Sequence, residues 1–177
     1  MKTSFKPHLA VSSMMVALAL VAMVGCSQSP TQSIQSDGKL LARSASLSPG
    51  ASLSPINMYT EAVIPSKTGG VLSLLDVNLT VPAGAVKNDT LFSISIPDDA
   101  LFFNEFGTEG LVFDVPVTVT MSYRNADLSG VTESRIKLAW LNERTNTWHS
   151  MACVVDTVSK TVTGNLYHFS AYGLISD

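Results

Sequence analysis

From Tyr59 onward, apolar and polar residues alternate with a period of two. Val77, Leu79 and Val81 alternate with Asn78 and Thr80, and Phe92, Ile94 and Ile96 alternate with Ser93 and Ser95. Val115, Val117, Val119, Met121 and Tyr123 alternate with Pro116, Thr118, Thr120 and Ser122; Ile136, Leu138 and Trp140 follow. Residues two apart in a strand share a face, so each run predicts a strand with one buried and one wet side. Further strands are expected at 59–64, 70–75, 148–155, 158–163 and 166–175. Turn residues punctuate them at Thr68-Gly69-Gly70, Pro82-Ala83-Gly84, Lys87-Asn88-Asp89 and Asn142-Glu143-Arg144-Thr145-Asn146. Helical periodicity is nearly absent, with room for a turn or two between Asp98 and Phe106. Many short strands joined by turns predict an all-β, antiparallel, immunoglobulin-like sandwich over residues 58–177.

The stretch before this domain is different. Residues 27–57 hold nine Ser, three Pro and no aromatic residue, with Ser-Leu-Ser-Pro at 46–49 and again at 52–55. Such a composition buries too little surface to offset chain entropy. Residues 26–57 are therefore expected to be a flexible tether, with a reach of about 100 Å when extended. Leu40, Leu41, Leu47 and Leu53 are the residues able to dock on the domain.

The first 25 residues read as an address. Lys2 and Lys6 precede an apolar run from Leu9 to Val24, broken only by Ser12 and Ser13. The run is short for a membrane span, which needs about 20 apolar residues, and it fits a secretory leader. Its end, Met23-Val24-Gly25-Cys26, resembles the lipobox of bacterial lipoproteins, with Met23 where Leu is commoner. The resemblance implies a signal peptide over 1–25, cleavage between Gly25 and Cys26, and a covalent lipid on Cys26. Two or more acyl chains hold a protein firmly on a bilayer where one does not. Ser27, rather than Asp, implies the outer membrane if the host has two. The expected location is the bacterial cell envelope, with the membrane as partner through the lipid.

Composition narrows the classes. The chain has 177 residues, 46% apolar and only 14% charged, with a net charge of -3. Losing Lys2 and Lys6 with the leader makes the balance 9 - 14 = -5. The weak negative balance argues against a nucleic-acid partner, which is usually met by a basic face. Ser and Thr take the wet strand positions that charged residues usually hold.

One further resemblance rests on the order of pieces in the domain. Thr68-Gly69-Gly70 and a strand lead to Leu79-Thr80-Val81-Pro82-Ala83-Gly84-Ala85-Val86, then to Asp89-Thr90 and a strand with Ile94 and Ile96. Phe113 and Val115-Pro116-Val117-Thr118-Val119 come next. This resembles the ZU-five domain of zonula occludens proteins, netrin receptors, ankyrins and bacterial surface proteins. It implies a β-sandwich acting as an interaction or structural module, here toward an envelope protein or glycan, with no catalysis and no cofactor.

Candidate chemistry is sparse. A zinc site needs three or four N or S ligands, and His149, His168 and Cys153 could supply three at most. With Cys26 lipidated, Cys153 has no intrachain partner and reads as a buried thiol. Asp98, Asp99, Glu105, Glu109 and Asp114 fall in one stretch, and the first four are weak calcium candidates. Calcium takes six to eight oxygens, and Phe102, Phe103 and Phe106 interrupt the run, so a solvated loop is favoured over a metal site. His168-Phe169-Ser170 resembles the self-cleavage site of certain ZU-five relatives. That likeness implies Ser170 attacking the Phe169 carbonyl with His168 as base, although a plain closing strand is the favoured reading. Trp140 and Trp148 flank a polar turn and read as a cross-strand core pair or, alternatively, a sugar-stacking pair. A carbohydrate- or calcium-dependent adhesin is thus a further alternative.

Overall fold

The computed structural model describes residues 38–44 and 58–176. They form β1 (Lys39–Leu40), β2 (Met58–Ile64), β3 (Gly70–Leu74), β4 (Val77–Val81), β5 (Thr90–Ile96) and β6 (Phe103–Gly107). β7 (Val112–Ser122), β8 (Lys137–Asn142), β9 (Thr147–Ser150), β10 (Cys153–Asp156), β11 (Thr161–His168) and β12 (Ala171–Ser176) complete the set. The larger sheet runs β2-β5-β6-β12-β8-β9, with β1 also on β12; the smaller runs β10-β11-β7-β4-β3. Every pairing is antiparallel. The fold is the all-β sandwich that the alternation predicts. The leader, Met23-Val24-Gly25-Cys26 and the remainder of the expected tether lie outside the described residues.

The inward residues of both sheets make one core. Leu79 on β4, Val117 and Val119 on β7 and Leu166 on β11 meet Phe92 and Ile94 on β5, Leu138 on β8 and Leu174 on β12, all fully buried. Phe169 fills one end, with its ring 5.0 Å from Phe92 and 4.9 Å from Phe113, both edge to face. Burial on this scale is the main stabilising term, at about 25 cal/mol for each Å² of apolar surface removed from water.

Four expectations change. Residues 98–106 hold no helix: β6 occupies Phe103–Gly107. Its period was hidden because Asn104, a polar residue, points inward between Phe102 and Phe106, while Phe103 points outward. The single strand expected at 148–155 is two strands, β9 and β10, in different sheets. Likewise 166–175 divides into the end of β11 and β12, and the chain passes from one sheet to the other at Phe169-Ser170.

The fourth change concerns the tether. Residues 38–44 belong to the same compact unit as the domain. β1 pairs with the second half of β12, Leu40 opposite Ile175, where β6 has stopped pairing at Gly173. Leu41 is buried in the core. Its amide donates to Leu174 O at 2.8 Å, and its carbonyl accepts from Phe102 N at 3.0 Å. Ala42 and Arg43 then bridge to Leu101 and Ala126. Two adjacent leucines serve opposite sides of the sheet: Leu41 enters the core, and Leu40 packs over Gly173, where a Cβ would lie 2.6 Å from Leu40 Cδ2. This strap ties the segment ahead of the domain to the sandwich itself.

Candidate functional site

Two crossings between sheets border an open cleft. β10 begins only at Cys153, whose Cα partner is Gly164, so the edge of β11 from Asn165 to His168 has no strand beside it. The space left is about 580 Å³, lined by Trp140, Met151, Cys153, Asn165, Tyr167 and His168 among others. Gly164 lines it as well and packs closely on Leu138 of the core, since a Cβ there would meet Leu138 Cδ2 at 2.6 Å.

Trp140 is the centre of the cleft wall. It sits opposite His149 on β9 and Tyr172 on β12. The His149 ring stacks on it at 5.2 Å and 27°, and His168 meets it edge-on at 5.8 Å and 90°. The Tyr172 hydroxyl donates to the His168 carbonyl at 2.7 Å. Burial pushes the Tyr172 hydroxyl above its ordinary range, so it stays a neutral donor. The register therefore gathers both histidines of the domain around one tryptophan, which linear spacing does not reveal.

The predicted residues fare differently. His168 and Ser170 are not brought together, because they flank the crossing between sheets instead of sharing one strand face. His168 Nδ1 lies 3.3 Å from the Phe169 carbonyl, while Ser170 Oγ donates to Leu141 O at 3.4 Å. Phe169 is 1% exposed. Its carbonyl accepts from Gly110 N at 3.4 Å, and its amide donates to Leu111 O at 2.8 Å. None of the three residues adopts positive φ.

Trp140 and Trp148 are separated too. Trp148 pairs with Leu141, one place along from Trp140, so the two indoles project from opposite faces of the sheet. Trp148 packs edge-on against Phe103 at 5.8 Å. Neither a core pair nor a sugar-stacking pair is formed by these two together.

Cys153 is half-buried at the cleft rather than sealed in the core, and its Sγ accepts the Leu138 amide at 3.4 Å. Among the calcium candidates, Glu105 and Glu109 share a shallow depression on the outer face of the larger sheet with Glu143, Ser93 and Ser95. Asp98 is not part of it; its Oδ1 caps the Ala100 amide at 2.8 Å, and Asp99 stands beside it in the loop before β6. Among the described residues no group of three His, Cys, Asp or Glu side chains is placed to hold a metal.

Sequence reasoning missed Asn165 and Tyr167, which line the open edge, because an alternating polar position looks the same whether a strand covers it or not. The chain matches no protein-family model and none of the curated proteins.

Proposed function

We propose that the protein is a lipid-anchored bacterial envelope protein whose β-sandwich is a non-catalytic binding or structural module. The observation that carries this reading is Met23-Val24-Gly25-Cys26 at the end of an apolar leader, followed by a β domain. The ZU-five-like order of segments supports the module, and the lipid on Cys26 supplies the membrane attachment. No helix among the described residues is long and apolar enough to cross a membrane. The strap shortens the proposed link: Gly38 follows Cys26 by 38 - 26 = 12 residues. That span reaches about 40 Å at most, so the domain stays close to the headgroups.

Radiolabelled palmitate tests the anchor. The expected result is label in the membrane fraction on a mature chain beginning at Cys26, with no label and no processing in Cys26→Ala. An unlabelled protein, or normal processing of Cys26→Ala, overturns the reading.

A further inference from the structure

The outer face of the smaller sheet carries two cross-strand rows of uncharged residues, with Asp114 exposed further along β7. One cross-strand row runs Ser73, Asn78, Thr120, Thr163 and Val154 across all five strands. The next runs Val71, Thr80, Thr118 and Asn165, and Tyr167 follows Asn165 on the same side of β11. None of these positions carries a charge; Asp156 stands one row beyond the first, at the margin. Strands lie about 4.8 Å apart and same-face residues about 6.8 Å apart, so the rows form a regular lattice about 19 Å wide.

The hydroxyls and amides are held in place by one another. Thr120 and Thr163 share a hydrogen bond at 3.1 Å, and the Thr118 hydroxyl donates to Asn165 Oδ1 at 3.2 Å. Thr80 donates to Asn78 Oδ1 at 3.3 Å, and Asn78 Nδ2 donates to Ser73 Oγ at 2.8 Å. A hydroxyl has one donor and two lone pairs, so these bonds fix orientation and leave capacity toward solvent. Side chains already held in place lose less entropy when a ligand docks. Apolar relief is interspersed: Tyr167, Val154 and Val71 are 61%, 71% and 59% exposed.

We propose that this face binds a neutral polysaccharide laid across β11, β7 and β4. Sugar chains present C–H faces and a dense set of hydroxyls, which match a lattice of fixed donors, acceptors and small apolar patches. An uncharged face gives no Coulombic attraction to an anionic polymer or a basic protein. Tyr167 lies where the lattice meets the cleft beside β11, and it supplies an aromatic plane for a sugar ring. The inference names the partner of the module proposed above and rests on that reading only for where the face is displayed.

The test is retention of the purified full chain, in detergent, by microcrystalline cellulose and chitin, with alginate as the anionic polymer. Retention is expected on a neutral polymer and not on alginate, and it should be unchanged by high salt. The variant Thr118→Val/Thr120→Val/Thr163→Val keeps the branched shapes and removes the hydroxyls. It should lose about tenfold or more in affinity, the effect of one or two hydrogen bonds. Tyr167→Ala should lose a similar factor, and Thr132→Val, in an exposed loop, none. Thermal melts check that each variant is folded. The proposal is overturned by no retention on either neutral polymer, by retention that salt abolishes, or by folded variants that bind as well as the parent. Self-association that the triple variant abolishes, without polymer binding, assigns the face to a second copy instead. Palmitate labelling is read separately, so failure of the anchor and failure of the glycan face are distinguishable.

Discussion

Arg43 and Asp76 form a two-pronged ion pair that joins the strap to the β3–β4 turn, 33 residues further along the chain. Their side chains are only 4% and 10% exposed. Arg43 Nη2 lies 3.1 Å from Asp76 Oδ1, and its Nη1 donates to Oδ2. Nε donates to Leu101 O at 3.2 Å, and the guanidinium lies over the Phe102 ring at 4.2 Å. Planar geometry and weak hydration suit Arg to such a site and leave Lys a poor replacement.

Removing one partner strands the other charge in a poorly hydrated place. Arg43→Ala or Asp76→Ala should each destabilise the domain by about 3–5 kcal/mol. Urea denaturation measures it. A loss below about 1 kcal/mol, the range of exposed pairs, would show that the strap is not held in this way. Arg43→Met combined with Asp76→Leu should recover much of the loss, because it removes both charges together.

Asn104 is fully buried on β6, and its Oδ1 has no hydrogen-bond partner. Its Nδ2 reaches only Met121 Sδ, at 3.6 Å. An unsatisfied buried polar atom costs about 1–3 kcal/mol. Asn104→Leu should therefore raise stability by an amount in that range. A lower melting temperature in that variant would mean that the amide is satisfied in solution.

The Glu133, Lys160 and Tyr123 cluster sets two pH limits. Lys160 Nζ lies 2.7 and 2.5 Å from the two carboxylate oxygens, and the Tyr123 hydroxyl donates to Oε2 at 3.1 Å. The Lys160 ammonium holds Glu133 below its ordinary 4.5. That contribution is whole above 4.5 and is lost as pH falls through the lowered value. Burial, with help from Glu133, pushes Tyr123 from 10.0 up to about 12. Its contribution is whole below 10.0 and fades as pH rises to about 12. Melting temperatures across pH should show Glu133→Gln flattening the acid limb and Tyr123→Phe flattening the alkaline one. Unchanged limbs in both variants would remove the cluster from the pH response.

The crossing at Phe169-Ser170 gives a last expectation. Ser170 Oγ is turned to Leu141 O, with no hydrogen bond to His168. Mass spectrometry of the denatured protein should return one chain ending at Asp177. Recovery of a separate Ser170–Asp177 peptide would establish self-cleavage at Phe169-Ser170.

Period-two alternation determined the class of fold, because a strand with one dry and one wet face leaves that trace locally. Val77 to Val81 and Val117 to Tyr123 could be read without a structure for this reason, whereas Val115, expected inside, is 40% exposed where β7 is irregular. The lipobox-like end of the leader is likewise a purely linear pattern. What spacing could not reach was which strand lies beside which. Asn104 inside and Phe103 outside inverted the usual signal and hid β6. Leu40-Leu41 were lost in Ser-rich surroundings, since two residues carry no period. Trp140 and Trp148 looked like partners by spacing, yet the Leu141–Trp148 register set them on opposite faces. Only tertiary structure brought His149, His168 and Trp140 together, and only it aligned Thr118, Thr120 and Thr163 into one uncharged lattice. Each depends on pairing between residues far apart in the chain, and the energy of that pairing belongs to the packed sandwich rather than to any one segment. The shortage of charge was legible in the composition; the alignment of uncharged Ser73, Asn78, Thr120 and Thr163 in one cross-strand row was not.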